Sequence, residues 1–207
     1  MKPLKLVIFD CDGVMFDSKE ANKVFYNSLL EHFGHRPMDE DELEYVHMHH
    51  VMDSVRYIFR HYPDEIEKVH AFRNSLDYAD FVKYMTMEPD LPEFLDFLIP
   101  KYKTAISTNR TTTMRKILKI FNLENYFGKV VTASDVANPK PHPEALENIL
   151  SHFALGVDEA IYIGDSVVDK EHAANIGMRM IAFKNPSLPA EYHVNSFMEI
   201  ASLPYFG

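Results

Sequence analysis

The chain has 207 residues, 46% of them hydrophobic, and a formal net charge of −10. That length holds one domain with a sizeable core, or a core with a small insert. The acidic balance argues against nucleic acid or an anionic membrane surface as the main partner, because both need a basic face; a metal or a local lysine can still reverse the field at a phosphate site.

In chain order, the apolar stretch at the N-terminus is too short for a signal peptide. No later run approaches the ~20 apolar residues that cross a bilayer. Cys11 is the only cysteine, so no intrachain disulfide can form, and a soluble, cytoplasmic protein in a reducing compartment is expected. Residues 4–9 form a nearly unbroken apolar run, which suits a strand buried on both faces of a parallel sheet. In an extended strand Cys11 would point away from Asp10 and Asp12, so it reads as a core residue.

Asp17-Ser-Lys-Glu20 has capping-box character, and Ala21, Val24, Phe25, Leu29 and Phe33 follow on one helical face, closed by Gly34. From there to about residue 86 the patterns are helical: Tyr57, Ile58, Phe59 and Tyr62 suggest one helix, and Ile66, Val69, Phe72 and Leu76 another. After Pro89 and Pro92 helix and strand alternate. Strands are expected at residues 104–107, 129–132, 160–163 and 178–183. Helices are expected around Phe94, over residues 114–121, from Pro143 as first helical residue, and over residues 168–176. The alternation predicts an α/β fold, a doubly wound parallel sheet, in which ligands bind beyond the carboxyl ends of the strands. Asp10, Thr108 and Asp165 all fall where a predicted strand runs out.

Asp10 and Asp12, followed by Gly13, can reach one cavity if the chain turns after Asp10. Two such close carboxylates repel, so one is protonated or a cation binds between them. The pair suits a nucleophile with a neighbouring acid/base, and equally a turn capped by aspartate side chains. Thr108, Asn109 and Arg110 form a polar strand-to-helix turn that could hold an anion or simply start a helix, with Arg110 a candidate substrate contact but more readily a solvated first-turn residue. Lys140 sits among Pro139, Pro141 and Pro143, which stiffen the loop and fix where its charge points. Gly164-Asp165 ends an apolar strand, and Asp165 and Asp169 offer oxygen ligands for a hard cation such as Mg²⁺. Near the positive end of a helix, Asp169 could serve structure instead.

Taken together, the segments around Asp10-Cys-Asp12-Gly13, Ser107-Thr108-Asn109, Lys140-Pro-His-Pro143 and Gly164-Asp165-Ser-Val-Val-Asp169 resemble the haloacid dehalogenase-like (HAD) hydrolase superfamily, in particular its phosphoglycolate phosphatase and β-phosphoglucomutase-like branch. The resemblance implies a Rossmann-like catalytic core over residues 1–16 and 87–207, with a helical cap over residues 17–86 inserted after the first strand. It implies Asp10 as nucleophile and metal ligand, and Asp12 as general acid/base with its backbone carbonyl on the metal. Thr108 and the Asn109 amide would bind the phosphoryl group, and Lys140 would neutralise Asp10 and the phosphate. Asp165 would bind Mg²⁺, with Asp169 as a further ligand or supporting partner. The expected activity is Mg²⁺-dependent hydrolysis of a small phosphorylated metabolite through an aspartyl phosphate, by a monomer or homodimer. Pro139 departs from the glycine usual before the lysine.

Three other chemistries compete. Dehalogenases of this type lack the second acid, whereas Asp12 is present. Phosphonate hydrolysis would use a cap lysine, and none lies between Lys23 and Lys68. A sugar-phosphate mutase would share every core residue. A binding or regulatory protein that retained the fold is the non-enzymatic alternative. In residues 17–86, His47, His49 and His50 could suggest a metal, although a helical face is the simpler reading. His47, Arg56 and Arg60 are candidate substrate contacts, and Met48, Met52, Met85 and Met87 are expected to pack.

Overall fold

The computed structural model describes residues 2–206, apart from the side chains of Met48 and Ala79. In chain order the elements are β1 (Leu6–Phe9), β2 (Phe16–Asp17), α1 (Lys19–His32), α2 (Glu40–Met48), α3 (Val51–Ile58), α4 (Ile66–Ser75), α5 (Ala79–Val82), β3 (Thr86–Met87), α6 (Leu91–Leu98), β4 (Lys103–Thr108), α7 (Met114–Ile120), β5 (Lys129–Thr132), α8 (Glu144–Phe153), β6 (Ala160–Gly164), α9 (Val167–Ala174), β7 (Arg179–Phe183), β8 (Tyr192–Val194) and α10 (Phe197–Ala201). The chain divides into two units, Met1–Phe16 with Met87–Gly207, and Asp17–Thr86.

The first unit is built on a six-stranded sheet of order β5-β4-β1-β6-β7-β8, parallel throughout. β1 is central, and all four of its side chains are buried. Leu6 and Ile8 pack with Leu146 and Ile149 of α8 and Ala173 of α9. Phe9 points to the other face, where its ring meets Phe94 of α6 and Phe197 of α10. Two apolar layers explain why this strand is an unbroken hydrophobic run. The doubly wound fold expected from the alternation is the one observed.

Strand order reverses at β1, with β4 on one side and β6 on the other. Phe9 is in register with Ile106 and with Ile163. The carboxyl ends of three adjacent strands therefore deliver Asp10, Thr108 and Asp165 to one edge. A topological switch point of this kind opens a crevice between the flanking connections.

Several local expectations are corrected. Ser18, not Asp17, precedes α1, and its side chain makes no capping bond; the Asp17 carboxylate instead accepts from the Lys19 amide. α3 ends at Ile58, so Tyr62 lies beyond it. Pro143 is the residue before α8. α7 starts only at Met114, so the turn at Thr108 is not its cap. Cys11 is buried as expected, but the chain bends there and the strand alternation does not govern it. The short strands β2, β3 and β8 and the helix α10 carry too few residues for a periodic signal.

The unit Asp17–Thr86 has its own core, in which Phe25 and Leu29 of α1 meet Leu43 and Val46 of α2, Val55 and Ile58 of α3 and Val69 of α4. His47 and His50 do not share a helix: α2 ends at Met48, and His50 caps α3 by accepting from the Met52 amide. His47 Nδ1 accepts from Asn22, and His49 Nδ1 donates to the Tyr45 carbonyl. Arg56 pairs with Asp53, and Arg60 with Glu42. The expected packing role of Met48 falls on a side chain outside the described residues. Met85 is buried as expected.

Glu42 organises this unit. It is 3% exposed, accepts from Arg36 and Arg60, and closes a reciprocal capping box with Asp39 at the start of α2. Burial opposes its charge, but the hydrogen bonds from Arg36 and Arg60 outweigh it and lower its pKa. A carboxyl whose folded pKa is depressed stabilises above its unfolded value of about 4.3 and loses that contribution as pH falls through the folded value. Glu42→Gln should therefore destabilise the protein by about 1–3 kcal/mol at pH 7. The difference from wild type in urea unfolding should shrink once the pH drops below about 4.

Candidate active site

The site starts from a tight turn. The Asp10 amide donates to the Ile163 carbonyl of β6, and the chain then folds back so that the amides of Met15 and Phe16 donate to the Cys11 carbonyl. Gly13 takes a left-handed φ of 75° there. A Cβ on Gly13 would overlap the Asp165 carboxylate. The glycine thus does two things: it allows the turn and it leaves room for the acid arriving from β6.

Lys140 lies at the centre. Its Nζ is 2.8 Å from Asp10 Oδ1, 2.8 Å from Asp169 Oδ1 and 2.6 Å from the Tyr162 hydroxyl. An ammonium has three donors, and all three are used. Its side chain is only 3% exposed. The loop that carries it is tied down by Asn109, whose Oδ1 accepts from the Lys140 amide at 3.1 Å and whose Nδ2 donates to the Lys140 carbonyl. The Lys140-Pro141 peptide is cis.

Asp169 was expected either to bind a metal or to serve a helix start, and it is committed to several protein partners. Oδ2 accepts from the Ser166 hydroxyl and from the amides of Asp165 and Ser166, completing a capping box on α9. Oδ1 accepts from Lys140 and from Tyr162. Gly164 permits this approach, since a side chain there would strike the Asp169 Cβ.

Tyr162 and His172 are two residues that sequence reasoning missed. Tyr162 lies in the middle of β6 and is fully buried. Because Lys140 can only donate to it, the phenol proton goes to Asp169 Oδ1 at 2.8 Å or to the Ser107 carbonyl at 3.2 Å. His172 Nδ1 lies 2.8 Å from the His142 carbonyl, which can only accept, so Nδ1 carries the proton. Nε2 of the neutral ring then accepts from the Ser107 hydroxyl at 2.9 Å. Burial, followed by the Lys140 charge, pushes the His172 pKa down to about 3 and keeps the ring neutral. The one clue in the sequence was a hydroxyl-bearing aromatic inside an otherwise aliphatic strand.

Thr108 is 3% exposed, and its Oγ1 accepts from the Arg110 amide at 3.1 Å. Arg110 itself corrects an expectation. Its side chain is 7% exposed, and Nη2 lies 2.5 Å from Asp12 Oδ1. It is a buried ion-pair partner, not a solvated residue. Another unforeseen contact is Asn185, whose Nδ2 donates to the Asp165 carbonyl at 2.7 Å.

Asp10, Asp165 and Asp169 each present a carboxylate oxygen within 4.8 Å of the others. Burial and then the charge of Asp169 raise the pKa values of Asp10 and Asp165. Asp169 moves the other way: burial opposes its charge, but Lys140 and the hydrogen bonds it accepts hold it down to about 2. Lys140 is raised, because Asp10 and Asp169 together outweigh its own burial. Asp10 is raised despite its ion pair because burial is the larger effect and because the one ammonium is shared with Asp169. Fully ionised, three carboxylates beside one ammonium leave two negative charges, which a divalent cation would balance. Mg²⁺ takes only one or two carboxylates and keeps waters. The donor set therefore fits it, with Asp10 and Asp165 the less committed ligands.

The comparisons with known proteins agree with this architecture. The family model for haloacid dehalogenase-like hydrolases matches residues 7–183. A crystal structure of a HAD-superfamily hydrolase of subfamily IA from Geobacter sulfurreducens is 39% identical, covers 99% of this chain and 97% of that one, and superposes with a TM-score of 0.81. Pyrophosphatase PpaX of Listeria monocytogenes is 29% identical over 82% of this chain and 78% of its own. A β-phosphoglucomutase from Clostridium difficile shares the fold, with a TM-score of 0.82 over 95% of this chain and 93% of that one, at 20% identity. Among the described residues no helix is long and apolar enough to cross a membrane. The protein belongs to the haloacid dehalogenase-like hydrolase family and is an enzyme of its phosphatase kind.

Proposed function

We propose that the protein is a Mg²⁺-dependent phosphatase that hydrolyses a small phosphate ester through an aspartyl phosphate on Asp10. The observation that carries this reading is the seat of Asp10. Its carboxylate is at the end of the central strand, 2.8 Å from a buried lysine, with Thr108 and Asp165 at the ends of the two neighbouring strands. A nucleophile there has an electrophile-binding cation, a hydroxyl and an acidic metal ligand on three sides.

In the first step an Asp10 oxygen bonds to phosphorus as the P–O bond to the leaving group breaks, and Asp12 gives its proton to the departing oxygen. In the second step Asp12 takes a proton from water as the water oxygen bonds to phosphorus, and the Asp10–phosphorus bond breaks to release phosphate. Thr108, the Asn109 amide and Lys140 hold the phosphoryl oxygens over which the charge spreads. Asp10, Asp165 and the Asp12 main-chain carbonyl would hold Mg²⁺, which when bound supplies positive charge against those oxygens. Asp169 acts by fixing Lys140, because its own oxygens are already engaged. The helical unit Asp17–Thr86 serves as the cap that excludes water and selects the substrate. Relatives named as pyrophosphatases add inorganic pyrophosphate to the substrates worth testing beside small monoesters.

Turnover of p-nitrophenyl phosphate should require Mg²⁺, disappear with EDTA and return when Mg²⁺ is restored in excess. Asp10→Asn should abolish it. Failure of the wild-type protein to hydrolyse any phosphate ester or pyrophosphate in a Mg²⁺-supplemented panel would overturn the proposal.

Gly13→Ala should cost about 1–2 kcal/mol in backbone strain alone and displace Asp165 as well. The expected readout is a loss of activity with a raised Mg²⁺ requirement, measured by titrating the metal against rate. Tyr162→Phe removes one acceptor from Lys140 and one donor from Asp169. It should destabilise the protein by about 1–3 kcal/mol, measured by urea unfolding, and lower kcat more than it changes KM.

A further inference from the structure

Asp12 differs from the other acids of the site in its partner. Asp10 and Asp169 share Lys140, whereas Asp12 is paired with Arg110, whose Nη2 is 2.5 Å from Asp12 Oδ1. Arg110 is held at its main chain and at both terminal guanidinium nitrogens. Its amide donates to Thr108 Oγ1 at 3.1 Å. Its carbonyl accepts from the Ala133 amide at 2.9 Å. Its Nη1 lies 3.4 Å from Thr113 Oγ1. The guanidinium is planar, so fixing one nitrogen on Thr113 sets the direction in which the other meets Asp12. The Asp12 carboxylate is 20% exposed, open enough to meet a substrate oxygen yet not free to choose its orientation.

We propose that Arg110 is a positioning residue for the reaction: it orients the Asp12 carboxyl toward the leaving-group oxygen. This rests on the proposed role of Asp12 as general acid/base and adds to it a residue that the motif alone reads as solvent-facing. The guanidinium holds Asp12 Oδ1 and takes no part in proton transfer; the proton given and regained is carried on Oδ2 of the neutral acid. In the first step the proton moves from Asp12 to the leaving oxygen as the ester P–O bond breaks and the Asp10–phosphorus bond forms. In the second it moves from water to Asp12 as the Asp10–phosphorus bond breaks. A misaligned Asp12 delivers that proton poorly, and the penalty depends on how much the leaving group needs it. Phenoxide with an electron-withdrawing substituent departs with little help, and unsubstituted phenoxide needs more.

That dependence separates positioning from a general loss of structure. The substrates are substituted phenyl phosphates, from p-nitrophenyl to phenyl, and the readout is kcat/KM, which reports the steps through formation of the phosphoenzyme. Arg110→Met should lower kcat/KM for phenyl phosphate by about 10²-fold, within the range that general acid catalysis supplies. For p-nitrophenyl phosphate the loss should be less than about 5-fold, so the Brønsted plot steepens. Arg110→Lys should restore only part of the loss, because an ammonium cannot span Asp12 and Thr113 with a fixed fork. Thr113→Val, which removes the second anchor and leaves the ion pair, should give a smaller loss of the same leaving-group dependence; it carries the test if Arg110→Met folds poorly by thermal unfolding. An equal loss across the whole series, no loss at all, or full recovery in Arg110→Lys would overturn the inference. These results are read against active wild-type enzyme whose turnover vanishes in Asp10→Asn. A flat series there sinks the role of Arg110 alone, whereas an inactive wild type sinks the phosphatase reading.

Discussion

The site depends on one buried ammonium with no free hydrogen. Lys140 Nζ meets Asp10, Asp169 and Tyr162 at hydrogen-bonding distance, and each partner comes from a different place in the fold: the end of β1, the first turn of α9 and the interior of β6. A buried charge is tolerated only when paired and hydrogen-bonded. The positions of these elements are therefore tied to one another through a single atom. The same atom explains why the neighbouring glycines matter: Gly164 lets Asp169 close on the strand, and Gly13 lets Asp165 close on the turn.

Around that atom the requirements of folding and of the site coincide. Asp169 caps α9 through Oδ2 and holds Lys140 through Oδ1. Reading it as a helix-start residue and reading it as a site residue are both right, because a carboxylate has enough lone pairs for each duty. Ser107 behaves alike: its carbonyl lies within reach of Tyr162 while its hydroxyl serves His172. The neutral His172 ring then reaches the His142 carbonyl, in the loop just after Lys140. The rigidity expected of the proline-rich loop thus rests equally on Asn109 and His172, which hold it by hydrogen bonds.

What was legible in the sequence follows from the range of the interactions involved. The unbroken run ending at Asp10, and the strands ending at Thr108 and at Gly164 beside Asp165, are local patterns, and they located the sheet, its active edge and the acids there. Tyr162, His172 and Arg110 were not legible as site residues. Nothing in Ile161-Tyr162-Ile163 says that the phenol will lie 2.6 Å from a lysine 22 positions earlier. Nothing at Arg110 says that an aspartate 98 positions away will hold it in the interior. Local capping rules failed in a matching way at Asp17, where the carboxylate bonded the nearest available amide instead of building the reciprocal box.

The division of cations among the acids bears directly on the proposed chemistry. Four carboxylates near one point would ordinarily raise one another's pKa values until several were neutral and indistinguishable. Here Asp10 and Asp169 compete for Lys140, Asp165 has no ammonium or guanidinium partner within salt-bridge distance among the described residues, and Asp12 has Arg110. The uncompensated negative charge is thereby left on Asp10 and Asp165, where a divalent cation would be held, while Asp12, the proposed acid/base, has a guanidinium of its own. The proposed nucleophile and the proposed acid/base, two residues apart, then differ in their counter-ions, Lys140 for one and Arg110 for the other. The separation is set by the strand-end turn at Gly13 and by an arginine that the fold anchors at Thr113.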